Sequence, residues 1–507
     1  MKKLQAKYHF AIAVLFSLVP IIAIFHKIVT GDIAFWYDPA RDMLSSLANL
    51  NKFTLIGPPS GIPGIFYGPY WIWFLSFGQL FSYDPRFVTM VVLTLPYLLL
   101  FPFILSRFSK IFSPFTIILL WLLFLLSFSE YMTKLWNPYP APLLILLVIY
   151  LQFIKKKNTS LKNVFLTFGV GFTAGLVTNF HLSFGIGILF GLLLYQIGEI
   201  FFYFYKNNDK GKVALHKIFE LGLFFLGLFL SFLPFIIFEL RHQFLQTKTL
   251  FNALTHYGGV VSLKGLSQID ILQLFFKRGA ELLHIPFILA IFVVVFFIGL
   301  YGYRFKKRHD GLKKLEIKLL LILLALSVVI LFIYLTAKNP VWSYHFIGVE
   351  ILFLLLIGIL LNRSKYFQIS LCVWVLYLIA SSGLTFLQSL RGHPENIAGN
   401  LVAAESIVNK IDKESNNQPY VVFAYSPSIY IYEYTYLFKW LYQKEVPYDP
   451  GQVQSGSNLV YLIIPNSAKS MYNSFIEYRS PAKQYRTARS WTMQDGTVIL
   501  ERIKKNK

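Results

Sequence analysis

Phe35-Trp36-Tyr37-Asp38-Pro39-Ala40-Arg41-Asp42-Met43-Leu44 packs two carboxylates, an arginine and several aromatic rings into one short stretch. A carboxylate held in a fixed place can act as a general base, and a neighbouring arginine can hold it there or bind a substrate oxygen. Asp38 reads equally well as the N-cap of a helix whose N1 residue is Pro39. The two readings are compatible, because a cap fixes the carboxylate. From Pro39 onward, Ala40, Met43, Leu44, Leu47 and Leu50 recur on one helical face, with Arg41, Ser45 and Asn49 on another. That spacing predicts a helix lying along a membrane surface.

Three further stretches carry uncommon polar residues: Lys134-Leu135-Trp136-Asn137-Pro138, Thr178-Asn179-Phe180-His181-Leu182-Ser183 and Lys338-Asn339-Pro340-Val341-Trp342-Ser343-Tyr344-His345. Taken singly, each reads as an interfacial loop with Trp and Tyr at headgroup depth. Taken together with Asp38, they supply cations for a phosphate and a carboxylate for a hydroxyl.

These residues must be positioned by a largely apolar chain. Of 507 residues, 56% are hydrophobic and 14% charged, and Phe alone occurs 51 times. Nearly uncharged runs of about 18 residues read as membrane-spanning helices. They follow one another from Phe10 to Leu387. The net charge of +23 does not point to nucleic acid, because Lys and Arg gather in short clusters between apolar runs. The only cysteine, Cys372, lies inside a run, so neither a disulfide framework nor a Cys-based metal site is expected. The run from Phe10 to Phe25 follows Lys2, Lys3 and Lys7 and reads as an uncleaved anchor.

Counting every apolar run as a crossing puts Lys155-Lys156-Lys157 on the outer side, against the usual bias. The segment 66–82, opening Phe66-Tyr67-Gly68-Pro69-Tyr70-Trp71-Ile72-Trp73, is rich in interfacial residues. Laid on the outer surface, it leaves about eleven spans and brings every basic cluster to the cytoplasmic side. The N-terminus is then cytoplasmic, and the stretches around Asp38, Asn137, His181 and Lys338 are all outer loops. Glu199, Glu220, Glu239 and Glu350 fall toward the outer portions of their runs, so no ionisable path crosses the membrane as a transporter would need.

Beyond Leu387 the pattern changes to an amphipathic helix over 395–411, a strand over 420–425, a helix over 428–443, and strands over 459–464 and 497–500. This predicts two domains: a membrane core over 1–387 and a small outer-face α/β domain over 388–507.

In order and sidedness these motifs resemble the GT-C glycosyltransferase superfamily, in the branch of protein O-mannosyltransferases and lipid A aminoarabinose transferases. The first loop is similar to that family's Asp-Glu motif, and the resemblance places the key acid at Asp38. Here Pro39 replaces the Glu, so Asp42, one helical turn on, is the candidate second acid. The segment from Phe66 to Trp71, with Tyr67, resembles the family's aromatic segment. Trp136-Asn137-Pro138 stands where many relatives carry an Asp, and Asn137 can only hydrogen-bond. The stretch around His181 stands where relatives place a basic residue. Lys338 to Tyr344 and His345 resemble the loop that touches the donor phosphate. The resemblance implies transfer of a sugar from a polyprenyl-phosphate donor to a glycan, lipid or protein hydroxyl, at the outer face of the cytoplasmic membrane. Asp38 and Asp42 would be catalytic; Arg41, Tyr67, Asn137, His181, Arg241, Lys338, Tyr344 and His345 would bind substrate. Some relatives use a divalent cation, but no ligand cluster in this sequence demands one. The competing functions are a flippase for lipid-linked glycans and a non-enzymatic membrane scaffold.

Overall fold

Long apolar runs become long helices, and their lengths sort them. The computed structural model describes residues 2–61, 63–155, 161–206, 210–256, 266–289, 314–336, 341–426, 430–444 and 457–505. Among them, seven helices are long and apolar enough to cross a membrane: Pro85–Lys110, Leu161–Phe180, Leu182–Phe202, Lys217–Arg241, Lys314–Thr336, Ser343–Arg363 and Lys365–Ser389. Val14–Thr30, Pro114–Ser127 and Ala141–Ile154 are shorter apolar helices. The run expected near 284–303 lies largely outside the described residues.

Three elements at the start of the chain set the site. Helix α1 spans Lys2–Thr30, α2 Tyr37–Asn51 and α3 Tyr70–Gln79. At about 1.5 Å per residue, the 10 residues of α3 reach about half of a hydrocarbon core of about 30 Å. That is too short to cross. Instead α3 packs along α2, where Asn49 Nδ2 donates to Ser76 Oγ at 2.9 Å and Ser46 Oγ donates to Gln79 Oε1 at 2.7 Å.

The start of α2 corrects the expected cap. Trp36 is the boundary residue, in extended backbone and with no side-chain cap, so Asp38 lies inside the first turn. The chain stays extended up to Trp36 because Phe35 N donates to Gly399 O at 2.8 Å. Pro39 fits there because first-turn N–H groups need no helical partner. The buried face is also rotated from the expected one. It comprises Pro39, Ala40, Asp42, Met43 and Ser46, while Leu44, Leu47 and Leu50 are only half-buried.

The C-terminal part holds a four-stranded sheet in the order β1-β2-β4-β3, formed by Val421–Ala424, Leu459–Ile464, Tyr485–Thr492 and Val498–Lys504. β1 runs parallel to β2; β4 is antiparallel to both β2 and β3. β2 is buried along its whole length. Helices Leu401–Glu414 and Tyr432–Tyr442 carry this sheet onto the start of the membrane part.

Several bonds seat it. Leu401 N donates to Ile33 O at 2.9 Å, and Asn400 Nδ2 to Asp32 Oδ1 at 2.5 Å. Both guanidinium nitrogens of Arg86 meet Glu405, at 2.6 and 2.5 Å. Gly31 makes the approach possible: its φ is +73°, and a Cβ there would lie 2.7 Å from Arg86 Nη2. One apolar cluster runs from Ile24 and Ile28 of α1 through Tyr436, Leu437 and Phe438 into the sheet.

Candidate functional site

Arg41 stands between two carboxylates. Its Nη1 donates to Asp38 Oδ1 at 2.7 Å, its Nε to Asp42 Oδ1 at 2.8 Å, and its Nη2 approaches the same Asp42 oxygen at 2.7 Å. The other Asp42 oxygen accepts from Trp71 Nε1 at 2.9 Å. The two acids therefore differ in what they can do. Asp42 is 1% exposed and both its oxygens are taken. Asp38 keeps a third of its side chain exposed (34%), and among the described residues its Oδ2 accepts no hydrogen bond.

Burial pushes Asp42 up from its ordinary 3.8 to about 6, although the Arg41 charge and the Arg41 and Trp71 hydrogen bonds pull the other way. Burial also works against the Arg41 charge, but Asp42 and Asp38 outweigh it and hold the guanidinium above its usual value. Arg41 is thus a permanently charged strut between a buried acid and a half-exposed one.

Around this triplet the separate loops meet through their rings. Trp36 lies 6.4 Å from Trp136, Trp136 lies 5.6 Å from Tyr344, and Tyr344 lies 6.4 Å from His181. Tyr67 lies within the same group. Burial raises its hydroxyl to about 12, Tyr344 and Asp38 add to the effect, and Arg41 and the neighbouring Asn137 amide oppose it. The turn that presents Tyr67 depends on Gly68, whose N donates to Asn179 O at 3.2 Å. A Cβ on Gly68 would lie 1.8 Å from Asn179 Oδ1. Asn179 has no room to yield, since its Nδ2 already donates to Gly175 O at 2.7 Å and Ser231 O at 3.2 Å.

The remaining sequence-predicted residues divide. Asn137 is buried and ties two loops, donating from Nδ2 to Phe180 O at 2.9 Å. His181 is fully buried and falls to about 3, first through burial and then through the proximity of His345, so it is neutral and not a cation. Its Nε2 donates to Tyr344 O at 2.9 Å, which leaves Nδ1 to accept from Ser183 Oγ at 3.4 Å. It props up the Tyr344 loop. His345 accepts from Trp342 N through Nδ1 at 3.2 Å and closes its own turn. Arg241 ends the Lys217–Arg241 helix, exposed, and among the described residues it makes no hydrogen bond or ion pair with the Asp38 group. Lys338 lies outside the described residues.

Arg278 was not singled out from the sequence. It sits on the amphipathic helix Gln268–Leu283, only 12% exposed, and pairs with Glu281 at 2.8 Å. Its Nη2 donates to Ser343 O at 3.1 Å, beside Tyr344. Burial works against its charge, but Tyr131, Glu350 and Glu281 outweigh that and raise its pKa. Among the described residues, no group of three or more His, Cys, Asp or Glu could hold a metal ion. A separate cleft of about 280 Å³ opens between α1, Pro114–Ser127 and Lys365–Ser389. It is lined by Lys27, Ser129, His284 and Ser381 among others, and by none of the residues of the Asp38 group.

No family model matches the sequence, and no curated protein matches it. Solved structures do match the fold. ArnT from Cupriavidus metallidurans bound to undecaprenyl phosphate overlays with a TM-score of 0.62 at 11% identity, covering 96% of this chain and 97% of that one. The same protein in the apo state gives 0.58 at 11% identity over 97% and 98%. The Archaeoglobus fulgidus oligosaccharyltransferase in complex with zinc and sulfate gives 0.47 at 14% identity over 94% and 72%. The chain therefore shares the fold of ArnT along nearly its full length.

Proposed function

We propose that this chain is a glycosyltransferase moving a sugar from a polyprenyl-phosphate carrier to an acceptor hydroxyl at the outer face of the cytoplasmic membrane. The observation that carries the reading is the asymmetry of the acidic pair. One carboxylate is buried and saturated; the other is half-exposed, with one oxygen unbonded, at the point where the loops of Trp36, Tyr67, Trp136 and Tyr344 meet. The ArnT fold, in a structure bound to undecaprenyl phosphate, supports the donor class.

In the reaction, the acceptor oxygen attacks the anomeric carbon and the bond from that carbon to the phosphate oxygen breaks. The acceptor proton passes to Asp38, and the carrier leaves as a phosphate monoester with one more negative charge. Asp38 is the base, a role typically worth about 10²–10⁴-fold. Asp42 sets Arg41, and Arg41 sets Asp38. Arg278 lies beside Ser343 and Tyr344, where a cation can stabilise the leaving phosphate. A lipid donor explains the membrane setting, since the prenyl tail stays in hydrocarbon while the sugar reaches the loops.

The test is transfer of radiolabelled sugar from a polyprenyl-phosphate donor in membranes holding matched amounts of wild type and Asp38→Asn. The substitution keeps the shape and a hydrogen-bond acceptor for Arg41 while removing the proton acceptor. Transfer should fall at least about 10²-fold. Full activity in Asp38→Asn would leave the reaction without this base.

A further inference from the structure

The C-terminal domain meets the start of the Asp38 helix through aromatic rings. Tyr37, the residue before Asp38, lies 4.9 Å from Tyr432 of the C-terminal domain. Tyr432 in turn stacks on Tyr430 at 5.1 Å with the two planes 1° apart. The guanidinium of Arg41, already bonded to Asp38, lies 5.7 Å from the centre of the Tyr37 ring. Tyr37 is tilted 57° from Tyr432, so the slab of three tyrosines that leads outward from the catalytic carboxylate turns once before its parallel pair. Tyr430 is 37% exposed, while Tyr37 and Tyr432 are half-buried.

We propose that this Tyr37–Tyr432–Tyr430 slab is the acceptor subsite, and that it takes a neutral sugar ring of a glycan-bearing acceptor. The inference rests on the transferase reading above and adds the class of its acceptor. Two physical arguments carry it. The C–H faces of a pyranose carry partial positive charge and pack on the negative face of an aromatic ring, while tyrosine hydroxyls serve its alcohol groups. The nearby charges argue against an anionic occupant. Arg41 is shared by Asp38 and Asp42, so the triplet is net negative when both are ionised and repels a phosphate. Tyr344 meets Trp136 and the buried Arg278 donates to the carbonyl just before Tyr344, whereas Tyr432 meets Tyr37. The arrangement gives phosphate and acceptor separate approaches to the same carboxylate.

The experiment uses the full-length protein in nanodiscs and reads binding, not turnover. Saturation-transfer NMR is recorded with neutral glucose-, mannose- and N-acetylglucosamine-based pentasaccharides, and with a glycan-free Ser/Thr peptide. At least one pentasaccharide should bind and the peptide should not. Tyr430→Ala should weaken that binding by about five-fold, and Tyr430→Phe should retain it. Tyr430 is the probe because Tyr432 also helps seat the domain. Asp38→Asn should bind the sugar like wild type while failing to transfer, which separates the subsite from the chemistry. If no pentasaccharide binds, if the peptide binds instead, or if Tyr430→Ala binds like wild type, the slab is domain packing alone and the proposal falls.

Discussion

At one end of the helical bundle a cation, Arg41, is shared by two acids; at the other, among the described residues, an acid, Glu220, meets two cations. Lys155 ends the helix Ala141–Ile154, which begins just after Asn137 and so runs between the two clusters. Glu220 Oε2 lies 2.7 Å from Lys217 and 3.3 Å from Lys155. The pattern of charge is the same with its signs reversed. What differs is exposure. Every member of the lysine cluster is below 10% exposed, at 4%, 8% and 6%, whereas Asp38 keeps 34%. A charge triplet buried throughout can only hold helices together; one with an exposed member can also meet a substrate.

That contrast can be broken in order of effect. Asp38→Asn should remove transfer by about 10²–10⁴-fold while leaving thermal unfolding in detergent near wild type. Glu220→Ala should do the reverse. Removing Glu220 takes a carboxylate from two buried ammonium groups, and breaking a buried pair costs about 3–5 kcal/mol, so the protein should melt far earlier while each surviving folded molecule keeps its specific activity. Equal loss of specific activity in both variants would erase the distinction.

Asp42 should show the coupling of stability and activity in opposite senses. It takes up its proton near pH 6 when folded and near its ordinary 3.8 when unfolded. Between those values the folded state binds more protons, so this group adds stability as pH falls from about 6 to about 4, and subtracts it as pH rises. Over the same window protonation loosens Arg41 from Asp42, so transfer should decline as melting temperature gains from this site. Asp42→Asn should flatten both trends and lower transfer by about 10–100-fold, less than Asp38→Asn. An acid limb unchanged in Asp42→Asn would assign that limb to another group. The smallest effect should come from Lys134→Ala. It breaks a 2.7 Å pair with Glu130 whose partners are 35% and 42% exposed, and should shift stability by less than about 1 kcal/mol.

The sequence exposes the Asp38–Arg41–Asp42 triplet because it is local: one helical turn brings the three together. It did not expose Trp71 as the partner of Asp42, a contact spanning 29 positions. The expected apolar face of α2 was displaced for the same reason. Asp42 and Ser46 are polar, yet Arg41, Trp71 and Gln79 satisfy them and let them face inward. Arg278 carries no signal in the sequence, because its partner across the fold is a backbone carbonyl. The strands Val421–Ala424, Leu459–Ile464 and Val498–Lys504 show as apolar runs. β3 does not, because most of its residues are exposed and its position is set by pairing with β4.

The bond from Asn400 to Asp32 joins residues 368 positions apart. During synthesis the Asp38 helix leaves the ribosome early, while the segment that pins its entrance follows about 20–70 s later at about 5–20 residues per second. Until then the first loop has neither its Gly399 bond nor its Tyr432 neighbour. The nascent membrane part would therefore be inserted but unfinished, and the entrance to the Asp38 helix would be pinned only once Gly399 and Tyr432 have been made. Synthesis of that later segment would itself act as the switch that turns the site on.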